Sequence, residues 1–175
     1  METDRRRFLK LSCAGLAGLA TATALPGQGA ASPKAATPSA EPTPYPELKV
    51  ANLNKLPKGT VVSFTYPDAG SPAILLRMGQ PVLDGVGPGQ DVVAYSTLCT
   101  HKGCPVAWRP QRQLLICPCH WSVFDPAKGG MMVIGQASQN LPKIRLRVDP
   151  ASGDIFAVGV SGLIYGRHTN IVRAE

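Results

Sequence analysis

The chain has 175 residues, 44% of them hydrophobic and 17% charged, which is enough apolar side chain for one domain with a real core. Its 18 Gly and 17 Pro interrupt the sequence too often for long helices and favour short strands joined by turns, an all-β fold. The net charge of +7 comes from lysines and arginines scattered along the chain without a long basic run, which argues against a nucleic-acid partner.

Residues 1–30 read as an address. Asp4-Arg5-Arg6-Arg7-Phe8-Leu9-Lys10 precedes an uncharged run from Leu11 to Leu25 that stops at Pro26, and the pattern resembles a twin-arginine export signal. The run is rich in Ala, Gly and Thr and is short for a membrane-spanning helix; Cys13 is read as a small residue of the signal. The expectation is a periplasmic protein, associated with the membrane if the signal stays uncleaved. Four basic and two acidic side chains fall in this segment, so the remainder carries +5. Residues 31–48 form a linker or arm: from Pro26 to Pro46 six prolines alternate with Ala, Ser and Thr, a composition that keeps chain extended and unpacked.

One domain is expected over residues 49–175. Strands are predicted at Thr60–Tyr66, Ala73–Met78, Asp91–Tyr95, Gln113–Ile116, Ile144–Val148 and Asp154–Val160. Ile144, Leu146 and Val148 alternate with Arg145 and Arg147, the period of a strand with one buried face. Asp149-Pro150-Ala151-Ser152-Gly153 supplies the turn that follows. With no internal repeat and no long helical pattern, one antiparallel β domain is the economical architecture.

Four of the five cysteines and two of the three histidines are concentrated in two stretches, CTHKGC and CPCHWSVFD, each just after a predicted strand. Cys99-x-His101 and Cys117-x-x-His120 each offer one thiolate and one imidazole, ligands that suit an iron–sulfur cluster or zinc. Cys104 and Cys119 remain, one per stretch, where an exported protein could join them in a disulfide. A tetrahedral zinc knot on the same four side chains, or two disulfides with bystander histidines, would also use these residues. The zinc reading leaves the second cysteine pair without a purpose.

C-T-H-x-G-C followed by C-P-C-H resembles the paired cluster loops of Rieske iron–sulfur proteins. The resemblance implies an antiparallel β-sandwich or barrel base domain with a small cluster-binding subdomain of two loops, here at about residues 96–130. It implies one 2Fe-2S cluster of Rieske type, with Cys99 and Cys117 on one iron, His101 and His120 on the other, and Cys104 and Cys119 as the bridging disulfide. Two neutral imidazoles in place of two thiolates leave the oxidised cluster uncharged, which eases reduction and raises the potential, to roughly −150 to +300 mV. The resemblance also implies that Ser122 and Phe124 face the sulfurs and that Gly103, Pro105 and Pro118 set the loop backbone so that amide hydrogens reach them.

Three flanking segments, GPGQDVVAYSTLCTHKGCPV, GQASQNLP and AVGVSGLIYGRHTNIV, resemble the small subunits of arsenite oxidases. That implies an electron-transfer subunit with no catalytic residue of its own, working beside a large molybdopterin catalytic subunit and passing electrons to a periplasmic cytochrome c or an azurin-like copper protein. The alternative is the Rieske subunit of a quinol-oxidising cytochrome bc-type complex. Those proteins typically read C-P-C-H-G-S with a tyrosine two residues after the serine, where this chain has Trp121 and Phe124. A cluster inserted before export also fits a route that carries folded domains. Lys102, Arg109 and Lys128 near the loops are candidates for steering an acidic partner, Trp108 and Trp121 for cluster shielding or an interface, and His168 for an ordinary surface position.

Overall fold

The computed structural model describes residues 45–170, so the expected export signal over residues 1–30 and residues 31–44 of the expected linker lie outside it. The described chain forms ten strands: β1 (Leu48–Asn52), β2 (Val61–Thr65), β3 (Pro72–Arg77), β4 (Val92–Ser96), β5 (Ala107–Arg109), β6 (Leu114–Ile116), β7 (Val123–Asp125), β8 (Met131–Ile134), β9 (Lys143–Val148) and β10 (Asp154–Ser161). Two short 3-10 turns, Leu53–Lys55 and Pro126–Lys128, complete the regular structure among the described residues. No helix there is long and apolar enough to cross a membrane.

Both sheets are antiparallel. Six strands pair in the order β1-β10-β9-β4-β3-β2, with the end strands approaching each other so that the sheet nearly closes. Four pair as β5-β6-β7-β8 in a smaller sheet. The predicted base domain with a loop-bearing subdomain is therefore the observed architecture, and each of the six predicted strands agrees with an observed one to within a residue at either end.

The two layers share a wall, and the reason is the two-residue period of a strand. On β3, Ile74 and Leu76 point to one side and Ala73 and Leu75 to the other. On β4, Val93 and Tyr95 oppose Val92 and Ala94. The first set packs with Cys99, Val106, Leu115, Cys117 and Phe124 of the small subdomain. The second set joins Leu56, Tyr66, Ile144, Ile155 and Ala157 in the core of the six-stranded sheet. Because both faces are covered, every residue of β4 is buried and the strand reads as a continuous apolar run. On β9 the predicted alternation holds: Ile144 is buried, Arg145 and Arg147 are outside, and the Arg147 guanidinium lies over the Phe156 ring at 4.7 Å.

Two features differ from the sequence-based expectation. The packed chain begins inside the linker, because Tyr45 stacks on Tyr66 with centroids 6.3 Å apart, Pro46 accepts a 2.8 Å hydrogen bond from the Tyr66 hydroxyl, and Leu48 opens β1. Strands β1, β5, β7 and β8 were not anticipated. β5 and β7 have three residues each and β8 four, too few for a period to appear, and their partners rather than their composition make them strands.

Candidate metal centre

Two loops built to the same plan rise from the small subdomain. In the first, the Cys99 amide donates to the Cys104 carbonyl at 2.9 Å and the Gly103 amide to the Cys99 carbonyl at 2.8 Å. In the second, the Cys117 amide donates to the Ser122 carbonyl at 2.8 Å and the Trp121 amide to the Cys117 carbonyl at 3.1 Å. In each case the leading cysteine starts a tight turn whose fourth following residue is left-handed, Gly103 at φ 73° and Trp121 at φ 59°. Both cysteines thereby point down into the core while the histidines ride on the outer curve.

The structure brings the predicted donors together in like pairs, thiol beside thiol and imidazole beside imidazole. Cys99 and Cys117 are unpaired with disulfide partners and fully buried. Burial pushes the Cys99 thiol up, and the neighbouring Cys117 thiol adds to this, while the His101 amide and the Ser122 hydroxyl pull it back. The His101 and His120 rings meet edge to face, with centroids 4.7 Å apart. His120 is exposed and His101 half-buried. Cys104 and Cys119 form the expected disulfide, with Cα atoms 6.5 Å apart, and tie the loops together. The sulfurs of Cys104, Cys117 and Cys119 lie within 4.8 Å of one another, but the disulfide consumes two of them, so of these three only Cys117 is a thiolate donor.

Whether these residues fit a bound 2Fe-2S group can be judged on one orphaned atom. His101 Nδ1 is buried and has no hydrogen-bond partner, although a buried polar atom ordinarily finds one. Beside two buried thiols that join no disulfide, an imidazole nitrogen without a protein partner is available as a ligand. Two soft sulfurs, two imidazoles and a separate disulfide make a donor set that suits such a cluster.

Ser122 and Phe124 are both fully buried. The Ser122 hydroxyl is fully buried and accepts the amides of Gln136 at 3.1 Å and Ala137 at 3.0 Å. With both acceptor positions used, its single proton is free for a sulfur, and it is among the groups that hold down the Cys99 thiol. Gly135 makes that approach possible, since a Cβ there would sit 2.4 Å from the Ser122 Cα. Phe124 is buried against Leu115 on β6, in one cluster with both candidate ligand cysteines. Pro118 is exposed between Cys117 and Cys119. Trp108 packs on the core, whereas Trp121 is 70% exposed. Lys102, Arg109, Lys128 and His168 are exposed.

Sequence reasoning missed what holds the loops from outside. The GQASQNLP segment supplies the two amides on Ser122, and its Gln139 carbonyl accepts the Thr100 hydroxyl at 2.7 Å. The C-terminal segment covers the first loop: a Cβ on Gly103 would lie 2.5 Å from the Tyr165 ring, so only glycine fits beneath it. That segment is pinned by the Arg167 guanidinium on both Asp68 carboxylate oxygens, at 2.6 and 2.7 Å, and by Asn170 bridging Ile164 and Gly162. No local pattern announces such contacts, because each joins residues distant in sequence.

The model of the Rieske [2Fe-2S] domain matches residues 47–145. The iodate reductase subunit IdrB of Denitromonas iodatirespirans is 39% identical over 95% of this chain and 86% of its own. The cytochrome bc1 complex Rieske iron-sulfur subunit of Streptomyces lividans is 43% identical over 71 residues, 40% of this chain and 41% of its own. Among solved structures, the soluble domain of Rieske protein II (soxF) from Sulfolobus acidocaldarius superposes with a TM-score of 0.61 at 28% identity, over 66% of this chain and 78% of that one.

Proposed function

Because the chain belongs to the Rieske [2Fe-2S] family, we propose that it is the electron-relay subunit of an oxidoreductase complex that converts an oxyanion on a separate catalytic subunit. The cofactor is one 2Fe-2S cluster. Cys99, Cys117, His101 and His120 would hold it, and bound there it supplies reversible one-electron chemistry. The chain's own part is to bury the two thiolates against the β3–β4 wall, keep both histidine edges at the surface, and fix the loops with the disulfide and the Ser122 anchor.

The observation that carries the complex assignment is coverage. The likeness to the iodate reductase subunit spans 95% of the chain, and that span takes in the segments that brace the cluster loops. The likeness to the bc1 subunit covers 40%, and this chain puts Trp121 and Phe124 where the quinol-linked pattern has glycine and tyrosine. The flanking resemblance to arsenite oxidase and the full-length relative named for iodate reduction share one chemistry, electrons exchanged with an oxyanion. The finer reading is arsenite oxidation by a molybdopterin subunit, with a periplasmic cytochrome c or azurin-like copper protein as acceptor and a twin-arginine signal as the export route.

Purification of the native complex and electron paramagnetic resonance of its cluster separate these readings. Arsenite added to the oxidised complex should produce the reduced Rieske signal; iodate added to a reduced complex should remove it if the catalytic subunit works in that direction. Copurification with a cytochrome b and a response to quinol alone would overturn the proposal. Arg5→Lys with Arg6→Lys should strand cluster-containing precursor in the cytoplasm, and unaltered periplasmic accumulation would count against the export route.

A further inference from the structure

The two cluster loops demand the same left-handed backbone at equivalent positions, yet one supplies glycine and the other tryptophan. For a bulky side chain that conformation is a rare and unfavourable choice. Trp121 gains little burial within its own domain, since it is 70% exposed beside the exposed ligand candidate His120. Its indole borders a cleft of about 270 Å³ lined also by Arg109, Gln111, Arg112 and Ile116. Ile134, 64% exposed, extends the apolar surface from β8, where it pairs with Val123.

Charge around this patch is segregated. Between Ser96 and Gly135 the chain carries Lys102, Arg109, Arg112 and Lys128 against a single acid, Asp125, and Asp125 already faces Lys128 at 3.7 Å. The side chains of Lys102, Arg109 and Arg112 have no ion-pair partner among the described residues. On the six-stranded side, by contrast, Glu47, Asp68, Asp84, Asp91 and Asp154 are each paired with a lysine or arginine of that side. Cations left unpaired around an exposed aromatic suit an interface that forms and dissolves, where charge sets the encounter rate; permanent subunit interfaces are larger and more apolar.

We infer that Trp121 and the Arg109–Arg112 pair form the docking surface for a diffusing redox protein whose contact face is acidic around a small apolar centre. This rests on the electron-relay reading above. Each encounter moves one electron from the reduced chain to one ferric haem, which becomes ferrous; no bond is made or broken.

The test uses the cluster-loaded full chain and two probes of one fold, cytochrome c and its succinylated derivative, whose lysines have become carboxylates. Surface plasmon resonance and stopped-flow reduction are measured against salt. Succinylated cytochrome c should bind more tightly and accept electrons about tenfold faster at low salt, and the advantage should vanish at high salt. Arg109→Glu with Arg112→Glu should reverse the preference. Trp121→Gly, relieved of its backbone conflict, should melt at a higher temperature with an unchanged cluster spectrum, yet bind the acidic probe about tenfold more weakly. If that variant lost its spectrum, Trp121→Asn, which also tolerates the left-handed region, carries the same comparison. Equal binding of both probes, or undiminished binding by the tryptophan variant, would overturn the docking surface. Tight, salt-sensitive binding without electron transfer to either probe would instead overturn the relay reading.

Discussion

Replacing Ser122 by alanine tests how the structure tunes the site, because one buried oxygen has three tasks. It accepts the Gln136 and Ala137 amides, and with both acceptor positions used its proton is left for Cys99, whose thiol it pulls down. Truncation leaves the buried Ala137 amide unsatisfied, at a cost of about 1 to 3 kcal/mol, and weakens the half-exposed Gln136 partner by about 1 more. A net loss of about 2 to 4 kcal/mol lowers the melting temperature by about 8 to 16 °C for a domain of this size. The hydroxyl also stabilises whichever cluster state is more negative. A hydrogen bond to a charged group contributes about 1.5 to 3 kcal/mol, and the part that differs between oxidised and reduced states, about 1 to 2 kcal/mol, amounts to about 40 to 90 mV for one electron. Ser122→Ala should therefore lower the midpoint potential by that amount in protein-film voltammetry at fixed pH, with the spectrum retained. An unchanged or raised potential would refute the argument that the proton faces the sulfurs. An unchanged melting temperature would refute the anchoring of residues 136 and 137.

Phe124→Tyr is the converse experiment: a hydroxyl added beside the buried cysteines should raise the potential by tens of millivolts, roughly the same 40 to 90 mV, and a fall by voltammetry would place the ring edge away from them. Asp91→Ala should destabilise the fold by about 3 to 5 kcal/mol in urea denaturation, because Arg77, which pairs with Asp91 at 3.2 Å and also donates to the Leu53 and Leu56 carbonyls, would be left as a charge without its counterion; a loss under 1 kcal/mol would contradict that. The Arg167 hydrogen bonds hold the Asp68 carboxyl below the usual carboxylate range. A depressed folded-state value means that the pair's stability is present above the ordinary carboxylate pKa and is lost as pH falls through the lowered one. The gap in melting temperature between the natural chain and Arg167→Gln should accordingly be open near neutrality and close in acid, and a gap independent of pH would exclude Asp68 as the partner.

Six strands, the turn after Val148 and the cluster ligand candidates were legible because each depends on neighbours in the chain. A two-residue alternation such as Ile144, Leu146 and Val148 reports a half-buried strand wherever it occurs. A thiolate and an imidazole two or three positions apart carry their chemistry with them, whatever the rest of the fold does. Tertiary structure alone decided the rest. It brought Cys99 and Cys117 to the same wall of β3 and β4, linked Cys104 to Cys119, and assigned the two tryptophans opposite fates, Trp108 into the core and Trp121 into solvent. It also gave purpose to GQASQNLP and the C-terminal segment, whose backbone amides, carbonyls and one tyrosine ring brace the loops. Such contacts depend on backbone groups that every residue possesses and on partners far away in sequence, so residue identity does not encode them locally. The short strands β5, β7 and β8 belong with them, since a three- or four-residue segment becomes a strand only when the fold offers it an edge to pair with.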